Sequence, residues 1–191
     1  MLSRKTFWTM TLAVVVLGVA GGALIGDSLI HRTVVTSEAA WVEVYRTPAE
    51  MAARADAIVL AKAVSVSPSR VAFSENGEDS LPFELVEFEV TRPVKGLAGA
   101  SRVFVERAGG DSVYIDADGG PFEVGQDYLL FLKRQGEGDI FYQANNQARF
   151  RLANGRLQSL EKDDAVVDAL QGRTLTEGLR IVGLRQGPAG Q

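Results

Sequence analysis

Nineteen residues from Phe7 to Ile25, FWTMTLAVVVLGVAGGALI, pass without a charge, and nothing later in the chain matches them. At about 1.5 Å of rise per residue, a helix of that length crosses the roughly 30 Å of a bilayer's hydrocarbon. Arg4 and Lys5 precede the run, and Asp27, His31 and Arg32 follow it. The positive-inside rule then holds the short N-terminus in the cytoplasm and sends everything after residue 32 across the membrane. Two forms of export fit. A cleaved signal peptide would use small residues such as Gly18 and Ala20, or Gly21 and Ala23. The run exceeds the roughly 7–15 residues of a signal peptide's apolar region, which favours a permanent signal anchor.

Beyond the run, the periodicity changes several times. Residues 33–46 read as a juxtamembrane linker ending in an aromatic patch at Trp41 and Tyr45. Thr47-Pro48-Ala49-Glu50 predicts a helix start, with a Thr cap, Pro in the first turn and Glu three residues after the cap. Ala57 to Val66 is β-rich and predicts a buried strand. Pro68 to Pro82, with Asn76-Gly77 and several acids, predicts a long exposed loop. From Phe83 to Thr91 the chain alternates, with Val86, Phe88 and Val90 on one side and Glu87, Glu89 and Thr91 on the other. Pro93 is expected to end that strand, and Lys95-Gly96 to turn the chain.

Strands are expected at Val103–Glu106, Tyr128–Leu132, Ile140–Tyr142, Ala148–Leu152 and Arg156–Leu160, with a Gly- and Asp-rich loop over 108–121. Asn154-Gly155 is a strong hairpin signal. Asp163 or Asp164 caps a short helix through Leu170, stopped at Gly172, and Thr174 to Leu184 holds a further helical turn or two. The chain thus divides into an anchor over 1–32, a linker over 33–46, a domain over 47–172 and a tail over 173–191. A short helix, six or seven strands and a C-terminal helix predict a mainly β fold, a small closed barrel or, less simply, a sandwich.

Composition sharpens this picture. The 191 residues carry a net charge of −4, with 20 basic and 24 acidic side chains. Residues 1–32 hold Arg4, Lys5 and Arg32 against Asp27, so the exported part keeps 17 basic and 23 acidic residues, a net of −6. That balance opposes a nucleic-acid partner. There is no cysteine, which removes disulfides, thiolate metal sites and cysteine nucleophiles. A domain exported without disulfides depends on its core alone.

Ala55-Asp56-Ala57-Ile58-Val59-Leu60-Ala61-Lys62-Ala63-Val64 looks like the first barrel strand of the tissue inhibitor of metalloproteinases and netrin-like modules. Phe88-Glu89-Val90 followed by Val94-Lys95-Gly96 is similar to their second strand and its turn. Gly125-Gln126-Asp127-Tyr128-Leu129-Leu130-Phe131 resembles a later strand entered through a Gly-x-x-Tyr-Leu corner. The resemblance spans about residues 48–160 and implies an OB-type barrel. The inhibitors of that family chelate a protease zinc through an N-terminal cysteine, which this chain lacks. The resemblance therefore carries a scaffold and not an inhibitory mechanism.

Candidate chemistry is sparse. His31, the single histidine, sits at the membrane exit and cannot serve as the base of a triad in the domain. Asp116 and Asp118 in DSVYIDADGGPFE imitate the start of a calcium loop, but Pro121 stands where the turn glycine belongs and Asp127 replaces the last glutamate. They are weak metal candidates. Glu87 and Glu89 lie about 7 Å apart on one strand face, a spacing that suits paired carboxylates and equally a solvated face. Arg149 and Arg151 alternate with Phe150 and Leu152, as on a strand with one wet face. Asn145-Asn146-Gln147 reads first as a bulge between strands and second as a ligand-contacting rim. No phosphate loop is present, and no cofactor is expected.

The expected protein is a membrane-anchored, extracytoplasmic, non-catalytic module that presents the loops 68–82 and 108–121 to a protein or peptide partner. The alternative is an envelope hydrolase or metal-dependent enzyme with an acidic site. An assembly subunit with an apolar patch around Trp41 and Tyr45 is a third expectation.

Overall fold

The computed structural model describes residues 33–35, 44–74, 76–77, 80–110, 113–115, 120–136, 139–162 and 164–184. The run over 7–25, His31, Trp41, Asp116 and Asp118 lie outside them. Among the described residues no helix is long and apolar enough to cross a membrane.

The chain is mainly β with short helices. In order it forms β1 (Thr33–Val35), α1 (Pro48–Arg54), β2 (Ala57–Phe73), β3 (Ser80–Lys95), β4 (Arg102–Ala108), β5 (Val113–Ile115), β6 (Asp127–Arg134) and β7 (Ile140–Gln143). A 3-10 turn (Asn146–Ala148), β8 (Arg149–Ala153), β9 (Arg156–Gln158), α2 (Ala165–Leu170) and α3 (Leu175–Ile181) complete it. Strands β2, β3, β4, β7 and β6 form a ring in that order, because β6 also pairs with β2. All neighbours in the ring are antiparallel except β4 and β7. β7 and β8 share one edge of β6, and β9 hangs on β8. β1 and β5 form a separate parallel pair.

Two cores follow from the period-two alternation of strand side chains. Inside the ring, Ala57, Val59 and Ala61 of β2 meet Val86 and Phe88 of β3, Val103 and Val105 of β4, and Tyr128, Leu130 and Leu132 of β6. Phe122 adds an aromatic plug, edge-to-face with Phe88 and Tyr128 at 5.0 and 5.1 Å between centroids. The opposite faces of β2, β6 and β8 present Ile58, Leu129, Phe131 and Phe150, which Met51, Val167, Leu170 and Leu179 of the helices cover. β6 is thus buried on both faces, which is why 128–132 is apolar throughout.

The local signals at the helices hold. Thr47 Oγ1 accepts the Glu50 N–H at 3.1 Å, and Asp164 Oδ1 accepts the N–H groups of Val166 and Val167 at 2.8 and 3.0 Å. Thr174 and Glu177 complete a reciprocal capping box on α3. Asn154 and Gly155 both adopt positive φ, 51° and 74°, as the tight β8–β9 hairpin requires. The far end of α1 is closed by Lys95, whose Nζ donates to the carbonyls of Ala52, Ala53 and Ala55 at 2.9, 2.9 and 2.5 Å. Gly96 follows with φ 62°, and a Cβ there would stand 2.6 Å from Asp56 O, so the turn admits only glycine without rearrangement.

Prolines misled the strand boundaries. The expected loop 68–82 is mostly strand: β2 runs on to Phe73 and β3 begins at Ser80, with Pro68 opposite Glu84 and Val71 opposite Pro82. β2 leaves β6 after Lys62, so Pro68 sits on an edge that asks for no further ladder donor. Pro93 likewise does not end β3, which continues to Lys95, because β4 pairs with β3 only as far as Glu89 and a register shift lies beside it. The Asn145-Asn146-Gln147 segment is not a bulge but part of a buried turn. Gln147 Oε1 accepts from Tyr45 N and Asn145 Nδ2, and its amide nitrogen donates to Asp164. Tyr45 is itself 3% exposed, so it contributes core and no docking patch.

Candidate functional site

A cleft of about 150 Å³ opens where β6 and β8 run together. Register sets it up. Tyr128 lies opposite Arg151 and Leu130 opposite Arg149, so both arginines leave β8 on the side that faces the ring interior, while Phe150 packs against the helices. The expected wet face is therefore only half wet: Arg149 is 6% exposed. Its guanidinium lies 4.4 Å above the Phe122 ring and donates from Nη1 to Gly120 O at 2.9 Å.

Arg151 reaches the mouth of the cleft and holds the Glu123 carboxylate, with Nη1 2.9 Å from both oxygens. Both partners of that pair are open to solvent, at 40% and 62% side-chain exposure. Arg151 Nε is buried and meets no acceptor. Tyr128 Oη accepts the Glu123 N–H at 2.9 Å, so its own proton remains to be donated. Burial raises the phenol's pKa above its ordinary value and outweighs the hydrogen bond from Glu123 and the nearby arginines, so it stays protonated at neutral pH. The third wall comes from β9 and the end of α2. Gln171 Oε1 accepts the Ser159 N–H at 2.8 Å, and Pro121 and Leu160 add apolar surface, Leu160 being largely exposed.

A second polar cluster lies elsewhere on the ring. Glu106 of β4, 7% exposed, accepts from Ser69 Oγ at 2.7 Å, from Arg70 Nε and Nη2 at 3.0 and 2.9 Å, and from Gln135 at 3.3 Å. Arg70 crosses the Phe83 ring at 4.0 Å to reach it. Burial alone would raise the Glu106 carboxyl. The hydrogen bonds from Arg70 and Ser69, with the Arg70 charge, outweigh it and hold the pKa below the usual range. One buried carboxylate so ties β2, beyond its contact with β6, to β4 and to the end of β6. Nearby, Arg107 is 5% exposed, with Nη1 3.5 Å from Glu84 and Nε without an acceptor.

The residues singled out by sequence distribute as follows. Glu87 is engaged by Ser65 Oγ at 3.1 Å and Arg102 at 2.5 Å, and Glu89 is exposed, so the two acids share no cleft. Asp116, Asp118 and His31 lie outside the described residues, among which no three His, Asp or Glu side chains are grouped as a metal would need. Arg149 and Arg151 are brought together with Tyr128 and Glu123. The roles of Glu106, Arg107 and Tyr128 went unread in the sequence, because each depends on pairing between distant strands.

Compared with known proteins, the chain matches no family model and no curated sequence.

Proposed function

We propose that the protein is a membrane-tethered binding module whose domain lies outside the cytoplasm and holds a protein or peptide partner without transforming it. The observation that carries this reading is the cleft. Its wall combines guanidinium, phenol and amide donors with an apolar lip, groups that hold and orient a ligand. The scaffold reading supports it. Taken in chain order, the ring strands run 1-2-3-5-4 and back to 1, with the third and fifth parallel, the connectivity of a five-stranded Greek-key barrel of the OB type. That connectivity favours the likeness to the netrin-like modules noted above. The anchor rests on the uncharged run over 7–25 and its basic flank.

The test uses the full chain in its own membranes. A photo-reactive residue replacing Leu160, at the exposed lip, is expected to cross-link to one reproducible partner, and the Arg151→Met background to lose that product. Protease added to cells stripped of any outer envelope layer, with the cytoplasmic membrane sealed, is expected to remove the domain while residues 1–6 stay protected. A domain protected from outside, or cross-links spread without preference, would overturn the reading.

A further inference from the structure

We propose that the cleft between β6, β8 and β9 is a carboxylate-binding site, in which Glu123 acts as an internal placeholder that a partner's carboxylate displaces. The inference rests on the binding-module reading and names the chemistry its partner must present. Arg151 already demonstrates the recognition, since it holds the Glu123 carboxylate through both oxygens. Guanidinium groups are matched to carboxylates in geometry as well as charge. An ion pair this exposed contributes little to stability, so exchanging one carboxylate for another costs little.

The surroundings favour an incoming carboxylate over a neutral group. Arg149 stands two residues along the same strand, about 7 Å away, and brings a second, buried positive charge to the same wall. Arg151 Nε is a buried donor that Glu123 does not reach. Tyr128 Oη supplies a proton from the opposite strand. A cleft of about 150 Å³ admits a carboxylate and a few carbons, and Leu160 and Pro121 offer those carbons an apolar surface. Either the C-terminal carboxylate of a partner chain or an Asp or Glu side chain meets this description.

Three labelled alanine-rich hexapeptides, added to the full chain in nanodiscs and followed by fluorescence polarisation, distinguish the sources. One ends in leucine with a free carboxylate, one is the same peptide amidated, and one is amidated with a single internal glutamate. The amidated neutral peptide is expected not to bind, and at least one carboxylate peptide to bind. Which of the two binds identifies the source. Arg151→Met is expected to weaken that peptide by about tenfold or more. Glu123→Gln is expected to tighten it about two- to fivefold, because the internal competitor is gone. A merely structural pair predicts no gain from Glu123→Gln. Equal binding of amide and carboxylate peptides, no binding up to millimolar concentration, or unchanged or weaker binding by Glu123→Gln would each overturn the proposal. A photo-cross-linked partner that survives Arg151→Met would remove the carboxylate site alone and leave the binding module standing.

Discussion

The two halves of the β2–β3 hairpin are built from one continuous pair of strands yet are stabilised by different physics. Over Ala57–Ala63 every residue but Lys62 is buried, and β6 pairs along the free edge. Over Ser65–Phe73 the same strand is almost wholly exposed, with Val71 at 50% and Phe73 at 69%. That distal arm is attached through Ser69 and Arg70 to Glu106. The base is held by close packing, which is non-directional and tolerates no void. Beyond its ladder with β3 and the Ser65–Glu87 bond, the arm is fastened to the rest of the ring by a charged, directional contact to one carboxylate. Strand length therefore says little about what holds a strand in place.

The comparison breaks most sharply at its base. Phe88→Ala empties the centre of the ring core, where Phe88 is fully buried against Phe122 and Tyr128. It is expected to cost about 3–5 kcal/mol in chemical denaturation. Glu106→Gln is expected to cost about 1 kcal/mol, because Arg70 is half exposed and partly re-solvated when its anion is lost. Its local signature is faster proteolytic cleavage within 65–80, with 57–63 still protected.

The same contact has a pH sign. Because the Glu106 pKa is depressed on folding, its contribution is complete above the ordinary carboxyl value of about 4.3 and is lost as pH falls through the depressed value. The stability gap between wild type and Glu106→Gln is therefore expected to narrow as the solution is acidified below about pH 4.3. The smallest effect is expected at the arm's surface. Phe73→Ser should change stability by less than about 0.5 kcal/mol, and a larger loss would mean the arm is packed after all.

Local chemistry was legible in the sequence wherever its physics is local. The Thr47 and Asp164 caps, the Asn154-Gly155 hairpin and the strand at 128–132 each need only a few neighbouring residues to be recognised. Pro68, Pro82 and Pro93 gave the opposite lesson. A proline breaks a ladder only where a neighbour needs its missing N–H, and whether a neighbour is there depends on strands far away in the chain. The site failed for the same reason. Arg149 and Arg151 were visible as an alternating pair, but that Arg149 is buried and that Arg151 faces Tyr128 follow from the β6–β8 register. Gln147 read as part of a bulge because nothing local reveals that Tyr45, Asn145 and Asp164 converge on it.

Lys95 also has a consequence for reactivity. An ammonium has three protons to give, and here each meets a backbone carbonyl at the end of α1. Acylation needs the nitrogen's lone pair, so the amine can react only after leaving all three carbonyls. Lys62 and Lys162 are exposed on the surface. With an amine-reactive ester, those two should be modified first and Lys95 last, its rate recording how often the helix end lets go. One lysine thus serves as a chemical clock for the detachment of α1.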